Sequence, residues 1–269
     1  MSSATKSLEL LSYFSATRPE IGLSQLYRLA KRDKATTYRH LQALEGVGFV
    51  EQNPQTKGYR LGPALLHLAQ IRETTVPRKD GAQAALRTLA DVTGETAHVS
   101  VLSGTTLYSL MSCASQQHAT RAVIDITTHP LHATASGVCT LAFGPEVLFE
   151  LALKTLDGFT ANTPTSPQAL AATVEKVRQT GFGVAEKTFE DEIYGISAPI
   201  FDQTGSLAGT ISVASVASRF TQQLETVIKT NLIRASREIT HNWGGTVPAR
   251  VQAAWVISLS QSTALEPAS

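Results

Sequence analysis

Leu23 to Gly62 reads LSQLYRLAKRDKATTYRHLQALEGVGFVEQNPQTKGYRLG, and the order of elements within it decides what kind of domain opens the chain. Leu23, Leu26, Leu29 and Ala30 fall on one face of a short helix, and Tyr38, Leu41 and Leu44 repeat at spacings of three on the next. Between them lies Lys31-Arg32-Asp33, too polar for a core and ending in a residue whose carboxylate can accept from the free amides of a following turn. A second helix therefore starts after Asp33. Its first turns carry Lys34, Thr36, Thr37, Arg39 and His40, hydroxyls and cations suited to base edges and phosphates when a helix enters a major groove by its N-terminal end. Gly46 and Gly48 stop it. Phe49-Val50-Glu51 and Gly58-Tyr59-Arg60-Leu61 are extended runs split by Gln52-Asn53-Pro54-Gln55-Thr56-Lys57, which is hairpin punctuation. Helix, turn, helix and hairpin together predict a winged helix-turn-helix over residues 1–62, with Lys57 and Arg60 on the wing holding phosphates of an operator duplex.

Charge is distributed in the same sense. Residues 1–62 hold nine Lys and Arg against five acids, a balance of +4, whereas the remaining 14 basic and 17 acidic residues leave −3. A basic head on a mildly acidic body suits a protein whose first part meets phosphates. Taken alone, cations on an amphipathic helix are equally well a solvated surface, and it is the order of elements that favours DNA.

The 269 residues suffice for two cores, with 42% hydrophobic and 17% charged residues as in ordinary globular chains. Cys113 and Cys139 are too few for a disulfide framework or a four-ligand zinc site, and the scattered histidines suggest no metal centre. No apolar run reaches the roughly 20 residues that cross a bilayer, and no export segment is recognised, so the expectation is a cytoplasmic protein without membrane contact. No cofactor is expected.

Residues 63–79 read as a linker helix, with Leu65, Leu66, Leu68, Ala69 and Ile71 in a helical pattern ahead of Val76-Pro77. The second domain is placed at 80–243. It opens with a helix from Gly81 to Val92 that turns Ala84, Ala85, Leu89 and Val92 inward, and Gly94 ends that helix. A period of two then predicts a hairpin, Ala97–Val101 against Leu107–Met111. Further strands are expected at Phe182–Lys187, Ile196–Asp202 and Leu207–Ser215, with amphipathic helices at Pro167–Thr180 and Thr221–Asn242. The fold class is α+β with a mainly antiparallel sheet. Residues 244–269 are read as a charge-poor tail with an apolar segment from Val251 to Leu259.

The opening LELLSYFS, the winged segment ending in GYRLG, the run ETAHVSVLSG, the segment PLHATASGVCTLAF and the pair ISAPIFDQTGSLAGTISVAS together resemble the IclR family of transcriptional regulators, from about Lys6 to Trp243. The resemblance implies a winged helix-turn-helix joined to a GAF-like effector domain that binds a small organic acid. It further implies heads that pair, so that the protein is a homodimer or homotetramer. One departure stands out: where many members carry Gly-Val and then Cys, this chain has Glu192-Ile193 and then Gly195.

Thr134-Ala135-Ser136-Gly137 precedes an apolar helix, and free amides at such a start suit a carboxylate where small residues let it approach. Read without the resemblance, Thr134 or Ser136 merely caps the helix. Ser197 and Ser212 lie in otherwise apolar strands, where an inward hydroxyl needs a partner; the resemblance places Ser212 at the effector pocket and an acid at Glu190. Gly195 and Met111 complete the expected effector residues. A small oxo or hydroxy acid such as glyoxylate is the expected ligand, and a metabolic operon the expected target. Two other readings are an enzyme using Ser136 with His132 and Asp125, for which no GxSxG elbow is present, and a winged-helix sensor that touches only proteins. No catalytic residue is expected.

Overall fold

The computed structural model describes residues 2–15 and 17–263 and divides into two compact units, one up to Pro77 and one from Arg78. The first contains α1 (Ser3–Glu9), β1 (Glu20–Ile21), α2 (Leu23–Leu29), α3 (Lys34–Gly46), β2 (Val50–Gln52), β3 (Tyr59–Leu61) and α4 (Ala64–Thr75). Its small sheet runs β1-β3-β2, antiparallel throughout, and the short β1 was not anticipated from sequence. Leu10, Ile21, Leu26, Leu41, Leu44, Val50 and Tyr59 form the core, so both helices of the helix-turn-helix and both arms of the wing share one apolar centre.

The second unit is built on a five-stranded antiparallel sheet in the order β5-β4-β8-β7-β6. These strands are β4 (Thr96–Ser103), β5 (Thr106–Cys113), β6 (Gly183–Glu186), β7 (Ile193–Phe201) and β8 (Leu207–Val216). On one face lie α5 (Arg78–Thr93) and α9 (Gln222–Asn242), against Val99, Ile196, Ala198, Ile200, Ile211 and Val213. On the other lies α6 (Ala135–Phe143), which packs with α7 (Val147–Ala152) and α8 (Pro167–Thr180) through Val138, Leu141, Leu148, Leu170 and Val174. Because successive side chains point to opposite faces, the residues between those apolar ones, His98, Ser197 and Ser212 among them, turn toward α6.

Two expectations shift. The first helix of this unit buries Ala85 and Leu89 as expected, together with Ala82, Leu86 and Ala90, whereas Ala84 is exposed and Val92 is 52% exposed. The presumed tail contributes α10 (Ala249–Thr263), which packs on α8 and α9. Trp255 is 1% exposed, lies against Phe182 and donates from Nε1 to Gly181 O at 2.8 Å. Burying an indole of that size contributes about 3–5 kcal/mol as judged by truncation. Residues 264–269 of the expected tail lie outside the described residues.

Candidate functional site

The first candidate surface is α3. Asp33 caps it, its carboxylate accepting from Thr36 N at 2.8 Å, and the hydroxyl of Thr36 together with that amide holds the carboxyl below the usual range. Lys34, Ala35, Tyr38, Arg39 and Gln42 are exposed and Thr36 half-buried, so a stripe of cation, hydroxyl, phenol and amide faces solvent. Tyr38, expected inside, is 42% exposed and accepts from Gln42 Nε2 at 3.0 Å.

Thr37 and His40 are corrections. Thr37 is 0% exposed and donates from Oγ1 to Asp33 O at 2.9 Å; His40 lies under α1 with Nδ1 2.7 Å from Ser7 Oγ. Both sit one or two turns from Leu41 and Leu44 on the inward stripe. Burial and the nearby Arg32, Arg39 and Lys6 lower the His40 pKa, so α1 is docked by a neutral imidazole. On the wing, Lys57 is exposed with φ +60°, while Arg60 is exposed but paired with Glu51 across β2 and β3. Asn53 and Thr56 at the turn donate to Glu20, which anchors the wing to β1 and lowers the Glu20 pKa.

The second candidate site is a cavity of about 70 Å³ at the start of α6. Its floor is a row of small residues across three strands, Ala214, Gly195 and Ala185, which the register places side by side. A Cβ on Gly195 would lie 3.1 Å from that of Ala135, so glycine keeps the floor low. Thr134, Ala135 and Ser136 form one wall, and Phe189, Glu190 and Ile193 another. Ala122 to Ile126, on the long segment between β5 and α6, form a third. Among the bonds that tie this segment down, Thr96 Oγ1 donates to Ala122 O at 2.7 Å, Arg219 Nη1 donates to Thr120 O at 2.9 Å, and Ser109 N donates to Thr127 O at 2.9 Å. Arg219 is in turn held bidentately by Glu95, which is 1% exposed.

Within the cavity region, the expected residues divide. Thr134, Ala135, Ser136, Glu190 and Gly195 line it. Gly137 does not: its amide is taken by Thr134 Oγ1 at 3.0 Å, and a Cβ there would meet Pro130 O at 2.4 Å, so this glycine exists to let α6 lie against the chain before it. Met111 pairs with Val99 in the register and joins the core on the far face, the side set by the parity of β5. Ser197 and Ser212 lie behind Ser136 and reach the cavity only through it.

Two residues that sequence reading passed over, His98 and His129, also line the cavity. Their rings stack with centroids 5.4 Å apart and planes 9° apart. The signal lay in the alternation of β4, where His98 and Ser100 are polar on a face that proves to be buried. Burial, with His129 adding to it, pushes the pKa of His98 down to about 3, and burial pushes that of His129 down to about 4, so both rings are neutral near pH 7.

A row of hydroxyls fixes the proton positions. Ser212 donates to Ser197 Oγ at 2.8 Å, so the 2.7 Å contact between Ser136 and Ser212 is donated by Ser136. With that proton committed, the 3.1 Å contact between Ser136 Oγ and His98 is donated by Nε2–H of the imidazole. His98 is therefore the Nε2–H tautomer, and its Nδ1 is a bare acceptor, buried and without a partner. His132, the base imagined for Ser136, instead contacts Asp157 O through Nε2 at 2.8 Å, and Asp125 is exposed. The one imidazole touching Ser136 donates to it, the reverse of what activation of a nucleophile requires.

Among the described residues, no helix is long and apolar enough to cross a membrane, and no cluster of three metal-ligating side chains occurs.

Residues 3–54 match the profile of the IclR helix-turn-helix domain, and residues 74–241 that of the bacterial transcriptional regulator IclR C-terminal domain. A curated relative, the HTH-type transcriptional regulator KdgR of Escherichia coli, is 26% identical over 246 residues, covering 91% of this chain and 93% of its own. The crystal structure of an IclR transcriptional regulator from Silicibacter sp. TM1040 superposes with a TM-score of 0.88 at 37% identity, covering 93% of this chain and 99% of that one. An IclR homologue from Microbacterium hydrocarbonoxydans, crystallised with 4-hydroxybenzoate, shares the fold with a TM-score of 0.73 at 22% identity over 90% of this chain and 99% of its own. With a basic winged helix-turn-helix ahead of an α+β domain that encloses a small cavity, and with the C-terminal profile spanning more than half its length, the chain belongs to the IclR family of bacterial transcriptional regulators.

Proposed function

We propose that the protein senses a small organic acid and, in response, changes its hold on an operator upstream of a metabolic operon. The observation that carries this reading is the cavity at the start of α6, because the amides of Ala135 and Ser136 lie in the first helical turn, where backbone N–H groups lack helical partners. A carboxylate there accepts from those amides, with Thr134 and Ser136 beside it and Gly195 beneath. The relative crystallised with 4-hydroxybenzoate supports an acid as the class of ligand, and the small volume supports a short one, with glyoxylate or another oxo or hydroxy acid of two or three carbons as the candidates. Glu190 stands at the rim, exposed.

On DNA, Lys34, Thr36 and Arg39 are the proposed reading residues, joined by Tyr38 and Gln42 on the same exposed stripe, with Lys57 and Arg60 of the wing on phosphates. The domains are taken as 1–62 for the head, 63–79 for the linker helix and 80–243 for the effector domain. Leu68 and Ile71, neighbours on one face of α4 and at least 47% exposed, and Leu66, 70% exposed on another face, give apolar surface on which two heads can pair, so the working unit is a homodimer or a pair of dimers in the cytoplasm. Its action is binding and release, without turnover of the acid.

The test is a thermal-shift screen of small organic acids on the full chain, followed by operator affinity with and without each stabilising acid. An acid at 100 times its Kd stabilises by about 2.7 kcal/mol. It must also change DNA affinity, since a ligand that binds both arrangements equally shifts neither. A panel in which no acid stabilises the protein, or one in which acids are consumed, refutes the reading.

A further inference from the structure

A hollow of about 350 Å³ opens between α1 and α3, lined by Ser3, Lys6 and Ser7 from the first helix and Arg39, His40 and Ala43 from the second. On each helix the lining residues recur three and four positions apart, the spacing of a single flank. No Asp or Glu lines it. Among the described residues neither Lys6 nor Arg39 is in an ion pair, whereas Arg32 beside them is neutralised by Glu9, and Arg60 on the wing by Glu51. Burial first, and then Arg32, Arg39 and Lys6, lower the pKa of His40, so all three cationic heads converge on the one imidazole behind the hollow, whose Nδ1 lies 2.7 Å from Ser7 Oγ. Two unpaired cations with hydroxyls beside them, and no acid among them, suit an anion arriving from solvent.

Which anion it is follows from the place of α3 on DNA. A helix with its side chains is about 10–12 Å across and a major groove about 12 Å wide, so a helix seated there brings its flanks to the two sugar-phosphate strands. The flank of α3 that faces α1 is this hollow. We propose that the hollow holds a backbone phosphate of the operator, gripped by the Lys6 ammonium of α1 with the Ser3 hydroxyl beside it. The inference rests on the reading of α3 as the recognition helix and adds a contact from α1, an element outside both the helix-turn-helix and the wing. Arg39 stands on the border between the hollow and the exposed stripe, so a phosphate held there fixes how deeply and in which register α3 is seated. A phosphate diester presents the same oxygens whatever its base, and Lys6 therefore positions the head without reading sequence.

The test uses the full chain and a duplex that it has selected from random sequence. Lys6→Ala is expected to weaken binding to that duplex and to unrelated ones by the same factor, and to reduce the slope of log K against log salt by about 0.9 per head. Its deficit then shrinks about 3.5-fold per head between about 50 and about 200 mM salt, and Lys6→Arg restores both affinity and slope. Replacing the phosphates of the duplex one at a time by neutral methylphosphonates locates the contact. At one position in each half-site the replacement is expected to weaken the parent and to make no difference to Lys6→Ala. If Lys6→Ala keeps the parent's affinity and slope, or if every methylphosphonate weakens the two proteins alike, the inference is overturned and the reading of α3 stands. A parent whose own slope is near zero takes both down together. Should the head of Lys6→Ala fail to fold, Lys6→Gln keeps most of the aliphatic stem without the charge, and the same outcomes decide.

Discussion

Lowering the pH from 7 to 5 is expected to destabilise the second unit through its two buried imidazoles. In the unfolded chain both titrate near the ordinary 6.5, whereas burial brings His98 to about 3 and His129 to about 4 in the folded one. The folded values are depressed, so the unfolded chain binds the protons first: stability is complete above about pH 6.5 and declines as the pH falls toward the folded values. From pH 7 to pH 5 the loss is about 2 kcal/mol for each imidazole and about 4 kcal/mol for the pair, while most carboxylates titrate below that window. Both tryptophans, Trp243 and Trp255, lie in this unit, so their fluorescence in urea follows its unfolding alone. With a slope of about 2 kcal/mol per molar urea, the midpoint should fall by about 2 M. His98→Leu should remove about half of the pH dependence. A midpoint that does not move between pH 7 and pH 5, or a His98→Leu protein with the parent's pH dependence, refutes the burial of a neutral imidazole pair.

Thr37→Val removes a buried hydroxyl at constant shape and should cost about 1 kcal/mol in urea while leaving DNA affinity within about twofold, since Thr37 is 0% exposed; a large loss of DNA binding in a folded protein would return Thr37 to the interface. Gly137→Ala forces a Cβ to within 2.4 Å of Pro130 O and should destabilise the second unit by about 3 kcal/mol, and a variant as stable as the parent would mean that α6 does not lie so close to the preceding chain. Arg219→Ala strands Glu95, which is 1% exposed, and should cost about 3–5 kcal/mol while loosening the Thr120–Ala122 wall of the cavity; Arg219→Ala paired with Glu95→Leu should recover most of that loss, and failure of the pair to recover it would show that Arg219 acts elsewhere.

The sequence carried the architecture because its periodicities are clean. Val99, Ile211 and Val213 alternate as half-buried strands must, and Leu170, Val174 and Val177 repeat as an amphipathic helix must. It failed where a neighbour outside the local window decided the burial. His40 looks like a solvent residue until α1 arrives to cover it, and Thr37 looks exposed and Tyr38 core until the stripe is seen to run through Leu41 and Leu44 with Thr37. Met111 was assigned to the wrong face because strand parity depends on the pairing, which shifts between Val99 and Ser100. Small-residue chemistry around Ser136 was legible as a possible anion site. The imidazole pair was not, since His98 meets Ser136 across 38 residues and Ser136 meets Ser212 across 76, and local pattern holds no information at that range.

The central claim is that the exposed stripe of α3 docks on duplex DNA. It is tested most directly by the salt dependence of binding to a duplex that the full chain has itself selected from random sequence, measured for the parent and for Arg39→Ala. Four exposed cations, Lys34, Arg39, Lys57 and Arg60, predict a slope of log K against log salt of about −3 to −4 per head. Arg39→Ala should weaken binding by about 1–3 kcal/mol and change the selected sequence. A slope near zero, or an Arg39→Ala protein with the parent's affinity and sequence preference, would contradict it.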